Sequence, residues 1–259
     1  MAAGGVPRVG GVKSVLRAIA VLRAFSPRAP VLTLSEVARI AKLDKGTTRR
    51  LLLTLKEAKL INQDPVTHRY SLSVDVLELG SAVQDSRDLR EQAVGLLSEL
   101  AMSTGTTAFL GVHREGEALC LERVDGNQPV QIRAWSVGAR LPLNCGGAPR
   151  VLLAYLPADE IEGVIQRGLR ALTPKSQTDP GALRRDLAAI RRRGWELAID
   201  DVTLGLAALA VPVRNVRNEV VAAVSIAGLT QHLAENRRPR PRFLSGLLSK
   251  AEQLSSRLR

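Results

Sequence analysis

The chain has 259 residues, of which 45% are hydrophobic and 24% charged, the balance of a globular protein long enough for one large domain or two smaller ones. No run of about 18 apolar residues occurs, which excludes a membrane-spanning helix, and residues 1–5 lack the apolar stretch of a signal peptide. Net charge is +12, and it is unevenly placed: residues 1–74 carry 13 Lys/Arg against 4 Asp/Glu, an excess of 9, and residues 75–259 an excess of 3.

A concentrated basic segment attracts a polyanion, because phosphates neutralised by Lys and Arg release their condensed counterions. Double-stranded DNA is therefore the expected partner of the N-terminal third, against the blander reading of Arg-rich solubility. Cys120 and Cys145 form no metal-binding spacing and no disulfide framework, so a reducing cytoplasm is the expected compartment and no metal or cofactor is expected.

Residues 1–11 are Gly-rich and read as a disordered tail. From Val12 a helical period begins, with Val15, Leu16, Ile19, Leu22 and Phe25 on one face, and it stops at Ser26-Pro27. Thr33-Leu34-Ser35-Glu36 is a capping box that opens a short helix carrying Val37, Ala38 and Ala41. Leu43-Asp44 makes a tight break, and Asp44 is a suitable N-cap for a second helix over about Lys45 to Ala58. Its buried side is Thr48, Leu51, Leu52 and Leu55; its exposed N-terminal side offers Lys45, Thr47, Arg49 and Arg50. Leu60 to Asn62 and Arg69 to Leu72 flank a polar, Pro-containing turn and read as a hairpin. Two helices at a tight turn followed by a hairpin describe a winged helix-turn-helix over residues 12–73.

In that motif the N-terminal residues of the second helix face base edges in the major groove. The candidate DNA-binding residues are Thr33, Ser35, Lys45, Gly46, Thr47, Arg49, Arg50, Thr54 and, on the wing, Arg69. Arg takes guanine bidentately, and Thr contacts a phosphate or a thymine methyl.

Residues 74–104 read as a helical linker, weakened at Gly80 and Gly95. Beyond it, strand-like runs appear at 109–112, 118–122, 130–133, 206–213 and 220–226. Helices are expected at about 148–155, 159–166, 182–193 (N-cap Asp179, stop Gly194) and 243–258. The Arg237 to Arg242 stretch reads as a flexible basic linker, and Asp200-Asp201 as a solvated turn. Mixed strands and helices make residues 105–259 an α+β domain. The three histidines and two cysteines compose no catalytic set; Cys145 with His113 is a weak nucleophile–base pair, and no P-loop or dinucleotide fingerprint occurs. An enzyme is not expected.

Several segments together resemble the IclR family of bacterial transcriptional regulators: residues 14–18, Leu32 to Ala38, Thr47 with Arg50-Leu51-Leu52, and residues 70–79. The likeness continues at Val137 to Leu143, 151–154, 210–213 and 220–225, and spans about residues 12–250. It implies a GAF-like α/β effector-binding domain after the winged helix, and homodimers or homotetramers on a palindromic operator. It further implies a small-molecule effector, often a small organic acid or aromatic metabolite, held by Leu141, Asn144, Cys145, Gly146, Gly147, Ala208, Ser225 and Ala227. This chain departs from the family there: Asn144 to Arg150 replaces a loop that commonly reads His-Ala-Thr-Ala-x-Gly-Lys, Ala208 stands for a common Cys, and Ala227 for a Ser. Fewer polar groups remain to hold a carboxylate, which favours a more apolar ligand. The alternative is a ligand-independent DNA-binding regulator whose C-terminal domain only oligomerises.

Overall fold

The computed structural model describes residues 12–26, 29–81, 87–127 and 132–258. The expected tail at 1–11 and the first half of the expected strand at 130–133 lie outside them. The chain divides into two compact units, residues 1–84 and 85–259.

The first unit contains α1 (Lys13–Leu22), β1 (Val31–Leu32), α2 (Leu34–Ala41), α3 (Lys45–Glu57), β2 (Ile61–Gln63), β3 (Tyr70–Leu72) and α4 (Asp75–Ser81). The capping box forms as the sequence predicts: Thr33 Oγ1 accepts the Glu36 N–H, and the Glu36 carboxylate accepts the Thr33 N–H at 2.8 Å. Asp44 caps α3 by accepting the Thr47 N–H at 2.8 Å. Strands pair antiparallel in the order β1-β3-β2, and β1 is an element that the sequence did not announce. Two residues are too few for an alternating pattern, and Val31-Leu32 becomes a strand only because Ser71 and Tyr70 lie opposite.

One core holds this unit together: Val21, Ala24, Phe25, Leu32, Val37, Leu52, Leu55, Ile61 and Tyr70. The period on α1 resolves into two apolar faces. Val21 is buried, whereas Val15, Leu16 and Ile19 are exposed.

The second unit contains α5 (Arg87–Thr104), β4 (Thr107–Arg114), β5 (Glu117–Val124), β6 (Arg140–Pro142), α6 (Gly147–Ala154), α7 (Ala158–Gln166), α8 (Pro180–Arg193) and β7 (Glu196–Ile199). It continues with β8 (Leu206–Arg214), β9 (Val220–Leu229), α9 (Thr230–Leu233), β10 (Ala234–Glu235), β11 (Arg238–Pro239) and α10 (Pro241–Arg257). Six strands form one antiparallel sheet in the order β6-β5-β4-β9-β8-β7. Ile132 and Arg133, expected in a strand, join none.

Alternation along the central strands sorts side chains by size. Leu209, Val211 and Val213 of β8 and Val224 and Ile226 of β9 face one side, where Leu97 and Leu100 of α5 and Leu247 and Leu254 of α10 cover them. Ala208 and Ala210 of β8 and Ala223, Ser225 and Ala227 of β9 face the other, toward α6 and α8. Bulk thus packs one layer solidly, and small residues leave room in the other. α5, read from sequence as linker, contributes Ala93, Leu96, Leu97 and Leu100 to the first of these cores.

The basic stretch expected as a flexible linker is instead structured. β10 and β11 form a hairpin whose turn residues, Asn236 and Arg237, have φ values of 49° and 59°, and Pro241 then starts α10. Both values suit a type I′ turn, whose twist matches paired strands.

Candidate functional site

In the first unit, α3 buries Thr48, Leu52 and Leu55 against α1 and α2. That seating leaves Lys45, Gly46, Arg49, Arg50 and Thr54 on the exposed side, with Thr47 half-buried. Arg49 and Arg50 make no ion pair among the described residues. Ser35 is exposed on α2. Thr33 is partly consumed by its own cap, donating to Glu36 Oε2 at 2.8 Å, and Thr54 Oγ1 donates back to the Arg50 carbonyl at 3.1 Å. On the wing, Asp64 accepts the N–H groups of Val66 (2.9 Å) and Thr67 (2.6 Å) and so fixes the turn beside exposed Arg69.

In the second unit a cavity of about 60 Å³ opens where α6 begins against β8 and β9. Six of the expected effector residues line it: Leu141, Gly146, Gly147, Ala208, Ser225 and Ala227. Asn144 and Cys145 do not. Asn144 Nδ2 donates to the carbonyls of Arg170 (2.7 Å) and Gln177 (2.9 Å), and Cys145 Sγ donates to the Arg170 carbonyl at 3.3 Å. Both hold the 170–177 segment in place. Burial pushes the Cys145 thiol up, which disfavours the thiolate that a nucleophile would need. His113 turns to other business, its Nε2 accepting the Gly116 N–H at 3.1 Å.

The wall that sequence reasoning missed is aromatic and acidic. Phe109 of β4 and Trp135 pack with ring centroids 5.7 Å apart, and Trp135 Nε1 donates to the Ala139 carbonyl. Phe109 stood in a run read only as core strand, and Trp135 in a segment with no period. Asp201 does not sit in a solvated turn, which corrects the sequence reading at that residue, whereas Asp200 is half-buried. Asp201 is 4% exposed and lines the cavity. Its Oδ2 accepts the Gly146 N–H at 2.8 Å and Arg150 Nη2 at 3.0 Å. Arg150 also reaches Glu196 Oε1 at 3.1 Å, and Glu196 pairs with Arg193. The Gly146 N–H is therefore engaged by a carboxylate of the chain itself. A Cβ on Gly147 would lie 2.8 Å from the Ala208 carbonyl oxygen, so only glycine lets α6 start this close to β8. Among the described residues no group of three or more His, Cys, Asp or Glu could hold a metal ion, and no helix is long and apolar enough to cross a membrane.

The family model for the IclR helix-turn-helix domain matches residues 14–65, and that for the C-terminal domain of IclR bacterial transcriptional regulators matches residues 81–256. This chain belongs to the IclR family. It is thus a DNA-binding transcriptional regulator with the helix-turn-helix domain and the C-terminal domain of that family. The chain is 31% identical over 223 residues to the HTH-type transcriptional regulator XynR of Escherichia coli, covering 86% of this chain and 88% of that one. Among solved structures, an IclR-type regulator from Alicyclobacillus acidocaldarius superposes with a TM-score of 0.83 at 29% identity, covering 95% and 99% of the two chains. An IclR homologue from Microbacterium hydrocarbonoxydans, complexed with 4-hydroxybenzoate, gives 0.84 at 25% identity and the same coverage.

Proposed function

We propose that this family member binds operator DNA through the N-terminal face of α3 and the wing, and that a small, largely apolar molecule in the α6–β8–β9 cavity controls that affinity. Lys45, Thr47, Arg49 and Arg50 meet the major groove, Gly46 admits close backbone approach, and Arg69 holds the flanking phosphates. Ser35 and Thr33 at the start of α2 add backbone contacts, and Thr54 extends the α3 face. The carrying observation is the pair Arg49 and Arg50, both exposed and opposite a face sealed by Leu52 and Leu55.

The protein acts as a dimer or tetramer. Exposed Val12, Val15, Leu16 and Ile19 follow helical spacing and form an apolar stripe that a second copy would cover. For the cavity, support comes from its concave apolar lining with few polar groups, and from the family relative that holds 4-hydroxybenzoate.

Genome-wide mapping of bound sites, followed by fluorescence anisotropy on the recovered operator, tests the DNA half. Arg49→Ala or Arg50→Ala should weaken specific binding by about 1–3 kcal/mol if its side chain reads a base; unchanged affinity in both would refute the assignment. A thermal-shift screen with a metabolite panel tests the sensing half, since a ligand that binds only the folded state raises its melting temperature. One observation favours a second reading, a ligand-independent regulator. At about 60 Å³ the cavity is smaller than the roughly 150 Å³ apolar void that takes up benzene. A panel without a single stabilising compound, and operator affinity unmoved by metabolites, would favour it.

A further inference from the structure

Asp201 is the one charged residue among the described residues lining the cavity, and two groups that would attract an anion there, the Gly146 N–H and the Arg150 guanidinium, are already engaged. The Gly146 N–H, at the N-cap of α6, and Arg150 both point at Asp201 Oδ2. Arg150 is shared with Glu196, which Arg193 also holds. Two guanidinium groups thus answer these two carboxylates, and Glu196 and Asp201 are both under 5% exposed. A ligand carboxylate entering here would bring an unbalanced negative charge into an apolar enclosure beside Asp201, where burial of an unpaired charge is strongly unfavourable. A hydroxyl or amide N–H meets the opposite situation. A carboxylate accepts about four hydrogen bonds, and Asp201 Oδ1 has none among those described. The Ser225 hydroxyl, 2% exposed and also in the wall, supplies a second polar anchor.

We propose that this pocket selects a neutral molecule with an apolar body and a hydrogen-bond donor, and rejects the matching carboxylate, with Asp201 as the specificity-determining residue. The inference rests on the reading of the cavity as the effector site. It makes the chain's own carboxylate the occupant of the anion position, so the ligand is read by what it donates. The body is small unless Trp135 swings aside, since Trp135 and Phe109 close the apolar end.

The test compares matched probes on the full-length protein by saturation-transfer NMR titration: isobutanol against isobutyrate, and benzyl alcohol against benzoate. Each pair differs by exchange of a carboxylate for a hydroxymethyl group. The alcohol of at least one pair should bind at least tenfold more tightly than its acid, and Asp201→Asn should reduce that preference to threefold or less. Ala227→Phe, which fills the cavity from β9, should abolish the alcohol signal and so place it in this site. These two results also keep the wild-type comparison decisive should Asp201→Asn fold poorly. Equal or tighter binding of the acids overturns the inference and leaves the effector reading standing. Binding of alcohols that Ala227→Phe does not disturb, or a preference unchanged in folded Asp201→Asn, overturns it as well. Silence from all four probes overturns both readings for this chemistry.

Discussion

Arg150 is the residue on which the C-terminal unit depends most heavily for charge balance. It lies 3.0 Å from Asp201 and 3.1 Å from Glu196, and all three are buried. Removing the guanidinium leaves two buried carboxylates with one remaining cation between them, so Arg150→Ala should cost about 3–5 kcal/mol in urea denaturation. Burial, chiefly, raises the Glu196 carboxyl above the usual carboxylate range, against the pull of Arg150 and Arg193. An acid whose pKa is raised by folding adds stability at low pH and loses it as pH climbs through the raised value. The deficit of Arg150→Ala should therefore be smaller near pH 5 than near pH 8. Gly111 gives a second test at this scale. A Cβ there would lie 2.4 Å from Trp135 Cη2. Gly111→Ala should push the indole out of its seat, red-shifting its fluorescence in a Trp195→Phe background; an unshifted spectrum would mean the ring is not held by that contact.

At the scale of elements, the helix-turn-helix owes its sharp corners to side chains that satisfy backbone N–H groups. Thr33 and Glu36 close α2, Asp44 closes α3 and Asp64 closes the wing turn. Thr33→Ala should cost about 1 kcal/mol, visible as a lowered melting temperature of the first unit. Hydrogen bonds from Thr33, Thr47 and Thr67 hold the carboxyls of Glu36, Asp44 and Asp64 below the usual range. Groups of this kind contribute stability above their unfolded pKa, and it is lost as pH falls through the lowered folded value. The first unit should thus loosen in acid, and Glu36→Gln should flatten the acid limb of its stability profile. On the exposed side of α3, each lost phosphate contact should lower the slope of log affinity against log salt by roughly 1. Arg69→Ala on the wing should show that signature without changing which operator is preferred.

For the whole molecule, three cores stand in two units, one in the first and one on each face of the large sheet in the second. The exposed stripe on α1 belongs to none of them. A Val15→Glu and Leu16→Glu double variant should shift the sedimentation coefficient toward monomer and weaken operator binding, because two half-sites are then no longer held together. An unchanged oligomer would place the subunit contact elsewhere.

Sequence alone determined the winged helix, because its signals are local. A capping box, an N-cap and a polar turn each act within about four residues, and charge was concentrated in the same third of the chain. The large sheet was foreshadowed in part, since β8 and β9 are apolar runs joined by a polar turn at 215–219. Only tertiary structure decided the rest. β1, β6 and β7 are too short to carry a period and exist because a neighbour pairs with them. Asp201 looked like a solvated turn because its partners are Arg150 and Gly146, more than fifty residues away in the chain. Asn144 and Cys145 shared a loop with Gly146 and Gly147, yet the fold turns the first pair toward residues 170–177 and the second toward the cavity. Spacing along a chain records which residues are neighbours in sequence; a pocket is set by which side chains converge, and that is fixed only when the layers pack.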